Sequence, residues 1–470
     1  MLRRIVLKNF KCFEALDLPC APLNLLCGLN GMGKSSVIQG LLVLRQSFDT
    51  GDLSQGRLVL GGALTDLGAG SDVLFEDAEE EVVGFELRRD ETPEPWTQTF
   101  GYSRTGDQLT VNGPAAEAGV PPVWRAFPPF GGGLAYIQAE RIGPRKSYPL
   151  SEMLARRGNL GARGEFAWNY LNDRQNDRFP ADDPRCGDRP GHRLLDVVDH
   201  WLQDVSPGAH LQLESVLAAD AVIAGFTFDR PGDVATRRHR ATNVGFGLSY
   251  VLPVVLALLS PRGSLCLIEN PEAHLHPRGQ TRLAELSVRA ARAGVQVFVE
   301  THSDHFMDGV RIAVRDGLIA PSDAAIHYFE RDSGRTVVSS PEVDADGRLS
   351  HWPGGFFDQH DENLARLLAP RSRPDSPDSA ATPAPTATPA PPSTGRLCPV
   401  TGQPVQSGRT FAGPGSDAKA KSVINDLLRG NQRDADEKLA RMADPERLRA
   451  AADRARKAGL KAIAKPSDWL

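Results

Sequence analysis

Residues 28–36 read GLNGMGKSS, directly after the apolar run LNLLC at 23–27. Glycine packs poorly and loses much backbone entropy on folding, so three glycines in this stretch need a reason. The stretch fits G-x-x-x-x-G-K-[ST], with Gly28, Gly33, Lys34 and Ser35 at the fixed positions. The run before it predicts a buried strand. VIQGLLVLRQSF after it predicts a helix, with apolar residues at helical spacing. A strand–loop–helix of this kind turns backbone N–H groups inward around a phosphate and adds the positive end of the helix. Asn30, Gly31, Gly33, Lys34, Ser35 and Ser36 are therefore expected around a nucleotide. Lys34 would reach the β- and γ-phosphates, and the Ser35 hydroxyl the magnesium ion.

Further along, LCLIENPEAHLHP (265–277) is an apolar strand ending in Glu269. A carboxylate at the C-terminal edge of a parallel sheet faces the ion, so Glu269 is expected beside Ser35 as a metal ligand. VFVE (297–300) predicts another strand leading into THSDHF, where His302 is placed to sense the γ-phosphate. Asn270 stands where a proton-accepting acid would serve hydrolysis. Its amide can orient water but cannot take a proton. Glu272 and His302 are the candidate substitutes, so Glu269, Asn270, Glu272 and His302 form the candidate catalytic set. A general base contributes roughly 10²–10⁴ in rate, so slow turnover is expected.

The chain has 470 residues, enough for two or three domains, with 40% apolar and 24% charged residues. That is the balance of a soluble globular protein. A net charge of −5 offers nucleic acid no bulk attraction, so any such surface must be a local patch. Cys12, Cys20, Cys27, Cys186, Cys266 and Cys398 have no metal-site spacing and read as reduced packing residues of a cytoplasmic protein. MLRRIVLKNF is too short and too charged for a signal peptide, and no apolar run approaches ~20 residues.

Residues 2–8 and 22–27 are expected as two strands of one sheet, and FEDAEEEVVGFEL and TQTFGYSR alternate like antiparallel strands. Residues 151–205 look more helical, and from 241 the pattern returns to α/β. The expected organisation is an α/β head split between 1–75 and 241–369, with an inserted α+β region at 76–240. A Pro/Ala/Ser/Thr-rich disordered linker follows at 370–396, then a helical C-terminal module at 397–470, with a helix starting at Asp444-Pro445-Glu446. Arg141, Arg145, Lys146, Arg156, Arg157 and Arg163 read as solvated, ion-paired residues. Arg237, Arg238 and Arg240 read equally as such or as contacts to DNA phosphates. His274 and His276 flank Leu275 and could form a metal pair. The acidic runs after the head lack the pattern of a Toprim nuclease.

LKNFKCF, GLNGMGKSS, AERIGPR, GARGEF, NVGFGLSYVLPVV, IENPEAHLHPRGQ, ETHSDHFMDGVRIAV and HWPGGFFDQ together carry a family resemblance. The chain resembles the ABC-type AAA ATPases of the RecF/SMC-like and overcoming-lysogenization-defect-like group, in the branch with DUF3696, over about residues 1–368. The resemblance implies an ABC-type P-loop NTPase head that binds ATP and Mg²⁺. It makes Asn243, Gly245 and Gly247 the signature that meets the nucleotide of a second subunit, although Gly245 stands where a Ser is usual. It puts Lys8 and Lys11 near the nucleotide and makes His274 and His276 part of a dimer contact. It implies a homodimer or higher even oligomer acting in prokaryotic anti-phage defence or DNA maintenance. A separately encoded effector such as a nuclease would assist, with DNA as a further partner. The alternatives are a nucleotide-gated scaffold with little hydrolysis and a DNA-repair clamp of RecF type.

Overall fold

Two sheets of opposite character lie on either side of the helix that follows the glycine loop. The computed structural model describes residues 1–353 apart from 91, 114–118, 152–157, 188–190 and 231–234, together with parts of 363–368 and 420–457. The first sheet is antiparallel. It contains β1 (Leu2–Phe10), β2 (Phe13–Pro19), β4 (Arg57–Val59), β5 (Val82–Arg89), β6 (Trp96–Gly101) and β7 (Gln108–Val111), in the order β2-β1-β5-β6-β7-β4. The second contains β3 (Leu23–Gly28), β8 (Leu134–Ile137), β13 (Leu265–Glu269), β14 (Gln296–Glu300), β15 (Ala324–Asp332) and β16 (Arg335–Ser339). Its order is β16-β15-β3-β14-β13-β8, parallel except for β16.

Helix α1 (Lys34–Asp49) fills the space between these sheets. Val37, Ile38, Leu41 and Leu42 share one core with Ile5 and Leu7 of β1, Phe85 of β5, and Leu26, Leu267 and Phe298 of the parallel sheet. The opposite face of that sheet presents Leu23, Leu25, Cys27, Ile268, Val297 and Val299 to a second core. Burial on both faces is why β3, β13 and β14 read as continuous apolar runs.

The second core is closed by α4 (Leu194–Val205), α5 (Phe246–Leu258), α6 (Pro277–Arg292) and α7 (Asp304–Arg315). A small third sheet of β9 (Tyr148–Pro149), β10 (Ala209–Val216), β11 (Ala221–Phe228) and β12 (His239–Arg240) joins it. Trp168 of α3 (Ala167–Arg174) stacks on Tyr148 with ring centroids 4.9 Å apart. The short α2 (Pro122–Arg125) buries Trp124 in the first core.

The expected α/β class is what the chain adopts, but two expectations change. The strands at 2–8 and 22–27 belong to different sheets. β1 buries one face and leaves Arg3 and Arg4 exposed, whereas β3 is buried on both, so the two cannot be equivalent neighbours. Residues 76–240 also supply β5–β7 to the first sheet and β8 to the second, so sheet membership crosses the boundary placed at 75. Alternation shows that a strand has a buried face but not which partner it pairs with.

The chain forms two compact units, 1–370 and 371–470. In the second unit α8 (Pro445–Lys457) begins at the expected proline, and Val423, Ile424, Leu439, Leu448 and Ala451 form a small apolar core. The linker at 370–396, Cys398, Arg156 and Arg157 lie outside the described residues. Cys12, Cys20, Cys27, Cys186 and Cys266 are free thiols, all buried except the half-buried Cys12. Among the described residues no helix is long and apolar enough to cross a membrane.

Candidate functional site

The glycine loop leaves β3 at Gly28, whose φ of +136° is closed to other residues. A Cβ there would sit 2.2 Å from the Phe329 carbonyl oxygen of β15. Gly31 and Gly33 also have positive φ, and Gly33 is the left-handed residue immediately before α1. No side chain caps that helix end, and its first turn holds no acid, so its N–H groups and positive pole face the loop. Lys34 is only 3% exposed and donates to the carbonyl oxygens of Gly28 (2.9 Å) and Leu29 (2.7 Å). Burial pushes its ammonium below the usual lysine range.

These residues line a cleft of about 780 Å³ that includes Asn30, Gly31, Gly33, Lys34, Ser35, Ser36 and Lys11. Lys11 donates to Gln39 at 2.7 Å. Lys8 pairs instead with Glu80 at 2.6 Å and does not line the cleft. The far wall comes from the β15–β16 hairpin, through Arg331, Arg335 and Thr336.

Three acids gather at the C-terminal edge of the parallel sheet. β14 lies between β3 and β13, and its register pairs Glu300 with Glu269. The Ser35 hydroxyl donates to Glu300 Oε1 at 3.0 Å, not to Glu269. Glu269 accepts from the Tyr136 hydroxyl at 3.0 Å and the Ala139 N–H at 3.1 Å. Glu272 Oε1 accepts the His302 N–H at 2.8 Å, which brings two predicted residues together. Burial pushes all three carboxyl groups above the usual range. Buried oxygens of Glu272 (Oε2), Glu300 (Oε2) and Asn270 (Oδ1) have no hydrogen-bond partner. The His302 side chain is held below its ordinary pKa, first by burial and then by Lys34.

Arg141, expected at the surface, is 2% exposed. Its guanidinium donates to the carbonyl oxygens of Glu269 (3.0 Å) and Asn270 (2.6 Å) and lies 5.5 Å from the Tyr250 ring centre. Burial pushes it down to about 10. Arg163 pairs with Glu140, as expected of a surface arginine, and Arg238 pairs with Glu214.

Asn243, Gly245 and Gly247 sit at the start of α5, with Asn243 and Gly245 exposed. They do not line the cleft. A Cβ on Gly247 would lie 2.9 Å from the His274 carbonyl oxygen, so this helix end packs on the loop after β13. His274 lies against Tyr250, ring centroids 4.6 Å apart, and His276 caps α6 by accepting from the Arg278 N–H. Each ring therefore has a packing or capping role. Among the described residues no group of three or more His, Cys, Asp or Glu is gathered to hold a metal ion.

Tyr136, Arg141 and Glu300 were missed from sequence. Only Glu300 carried a signal, an acid ending an apolar strand just before Thr301-His302.

Residues 136–308 match the family model described as AAA domain, putative AbiEii toxin, Type IV TA system, and residues 319–367 match DUF3696. The OLD nuclease of Thermus scotoductus (strain ATCC 700910 / SA-01) is 44% identical over 41 residues, which is 9% of this chain and 8% of that protein. Among solved structures, an SmcHead bound to the C-winged helix domain of ScpA is 15% identical, over 73% of this chain and 98% of that one, at a TM-score of 0.47. The SMC head domain from Thermotoga maritima is 15% identical, over 73% and 99%, at 0.38. An Smc head domain with an extended coiled coil, bound to the C-terminal domain of ScpA derived from Pyrococcus furiosus, is 14% identical, over 78% and 99%, at 0.43. The AAA-domain match takes in Glu269, Asn270, Glu272, His302 and the start of α5, whereas the glycine loop at 28–36 lies outside it: the chain carries an AAA-type ATPase domain match over 136–308, followed by a DUF3696 segment.

Proposed function

We propose that the chain is a Mg²⁺-dependent ATP-binding and slowly ATP-hydrolysing switch. The observation that carries this reading is Lys34, held in the cleft by its own loop carbonyls at an uncapped helix end. The residues fit a magnesium nucleotide. Positive-φ glycines free the backbone N–H groups, Lys34 is poised for phosphate oxygens, and buried acid oxygens lack partners. When bound, Mg²⁺ neutralises charge on the phosphates and orients them.

Lys34 and the loop N–H groups bind the phosphates, and Ser35 lies on the metal side. Glu269 and Asn270 fix the end of β13, and Asn270 orients the attacking water. Glu272 is the general base, and its burial-raised pKa moves it toward the working pH. His302 sits beside it, on the γ-phosphate side. The exposed start of α5, with Asn243, Gly245 and Gly247, is the surface a second copy's nucleotide meets. ATP thus favours a dimer or higher even oligomer. The setting proposed is cytoplasmic, in prokaryotic defence or DNA maintenance, with a separate effector such as a nuclease and with DNA as a further partner.

Asn270 favours a second reading, a scaffold that binds ATP and barely turns it over. Phosphate release and sedimentation with and without ATP separate the two. The switch requires turnover that Lys34→Ala abolishes, together with ATP-driven association. Tight ATP binding without phosphate release selects the scaffold. Neither binding nor release overturns both.

A further inference from the structure

A carboxylate that no motif assigned, Glu300, is hydrogen-bonded to Ser35 directly after the glycine loop. Because β14 runs between β3 and β13, Glu300 lies one strand closer to the loop than Glu269, although register makes the two neighbours. Glu300 lines the cleft and Glu269 does not. Glu300 Oε1 takes the Ser35 hydroxyl at 3.0 Å. Its Oε2 is buried with no partner, in a residue only 7% exposed. Such an oxygen costs free energy until a cation or a proton donor meets it. Both oxygens of Glu269 are already engaged, by Tyr136 and by the Ala139 N–H. Those bonds turn Glu269 toward β8, on the far side of β13 from Glu300.

We propose that Glu300, not Glu269, is the metal-side carboxylate of this nucleotide site. With Ser35 it receives the hydrated Mg²⁺ of the bound nucleotide. Glu269 is a positioning residue that ties β13 to the segment after β8. The inference deepens the ATP-binding reading and rests on it.

The test uses the full chain and two readouts apart from turnover: affinity for a fluorescent ATP analogue with Mg²⁺ or with EDTA, and Mn²⁺ affinity of the nucleotide complex by electron paramagnetic resonance. Lys34→Ala checks the underlying reading and should lose the analogue in both conditions. If it binds like wild type, that reading fails and the inference fails with it. Glu300→Gln keeps an oxygen for Ser35 but removes the charge. It should bind the analogue in EDTA like wild type, yet lose about 10–100-fold in Mn²⁺ affinity. Glu269→Gln should keep Mn²⁺ affinity near wild type. The inference is overturned if Glu269→Gln shows the larger loss, or if Glu300→Gln leaves Mn²⁺ affinity unchanged. Should Glu300→Gln not bind the analogue in EDTA, Glu300→Asp and Glu300→Asn carry the comparison. The Asp variant must then hold Mn²⁺ more tightly than the Asn variant, and equal affinities overturn the inference.

Discussion

Arg141 donates to the carbonyl oxygen of Asn270 at 2.6 Å, and Asn270 holds a left-handed backbone with φ of +44°. One buried guanidinium thus pins the turn that ends β13, where the acids of the site gather. Removing it leaves the Glu269 and Asn270 carbonyls without their charged donor in a place water reaches poorly. Arg141→Met should therefore lower unfolding free energy by about 3 kcal/mol, at 1–3 kcal/mol for each unsatisfied group. Denaturant unfolding checks this. A loss well below about 1 kcal/mol would mean that water or a rearranged turn replaces the guanidinium.

The loop glycines predict an order of sensitivity. Gly31 has open space around a would-be Cβ, so Gly31→Ala meets only backbone strain, about 1–2 kcal/mol for a left-handed residue. Gly33→Ala adds a collision, since its Cβ would lie 2.5 Å from the Cys12 sulfur and 2.8 Å from the Phe13 ring. Nucleotide affinity should fall further for Gly33→Ala, and Cys12→Ala in the same chain should restore part of the loss. Equal affinities in titrations of the two single variants would refute the collision.

Legibility followed the kind of constraint each residue obeys. The strand–loop–helix with positive-φ Gly28 and Gly33 before Lys34 was readable because the motif ties composition to spacing. The positions of Glu269, ending a strand, and His302, just after one, were readable from the apolar runs before them. Glu300 ends an equally apolar run. Its importance comes from β14 lying between β3 and β13, and strand order is not written in a local pattern. Arg141 looked like a surface arginine because its partners are backbone carbonyls 128 and 129 residues away. Tyr136 is a single hydroxyl in an apolar strand, and nothing nearby announces its acid partner. The assignment of β1 to a separate antiparallel sheet failed to appear for the same reason as Glu300.

Glu272, proposed as the general base, has a buried carboxyl that accepts the His302 N–H. Its removal as Glu272→Gln should slow phosphate release by roughly 10²–10⁴ and leave ATP affinity unchanged. Its carboxyl is held above the usual range, mainly by burial and against the opposing His302 N–H. Only the ionised form accepts a proton. The wild-type rate should therefore fall as pH drops through this raised value, at a pH above that of an ordinary glutamate near 4.3. Single-turnover rates across pH test this. A Glu272→Gln variant with the wild-type rate and profile would remove Glu272 from the reaction.

Glu300 also makes a prediction about stability in the nucleotide-free protein. Its folded pKa is raised, by burial first, so between the unfolded and folded values the native state binds more protons than the unfolded one. Stability then falls as pH rises through that window, and the full cost of the buried charge is present above the folded pKa. Glu300→Gln removes the charge while keeping an acceptor for Ser35. Nucleotide-free Glu300→Gln should melt above wild type at pH 7.5, and the advantage should shrink as pH falls through the raised pKa. Adding Mg²⁺ and ATP should reverse the order, because wild type then gains a cation for the same oxygen and the variant does not. A variant less stable than wild type at neutral pH without nucleotide would show that the charge on Glu300 is already compensated in the free protein.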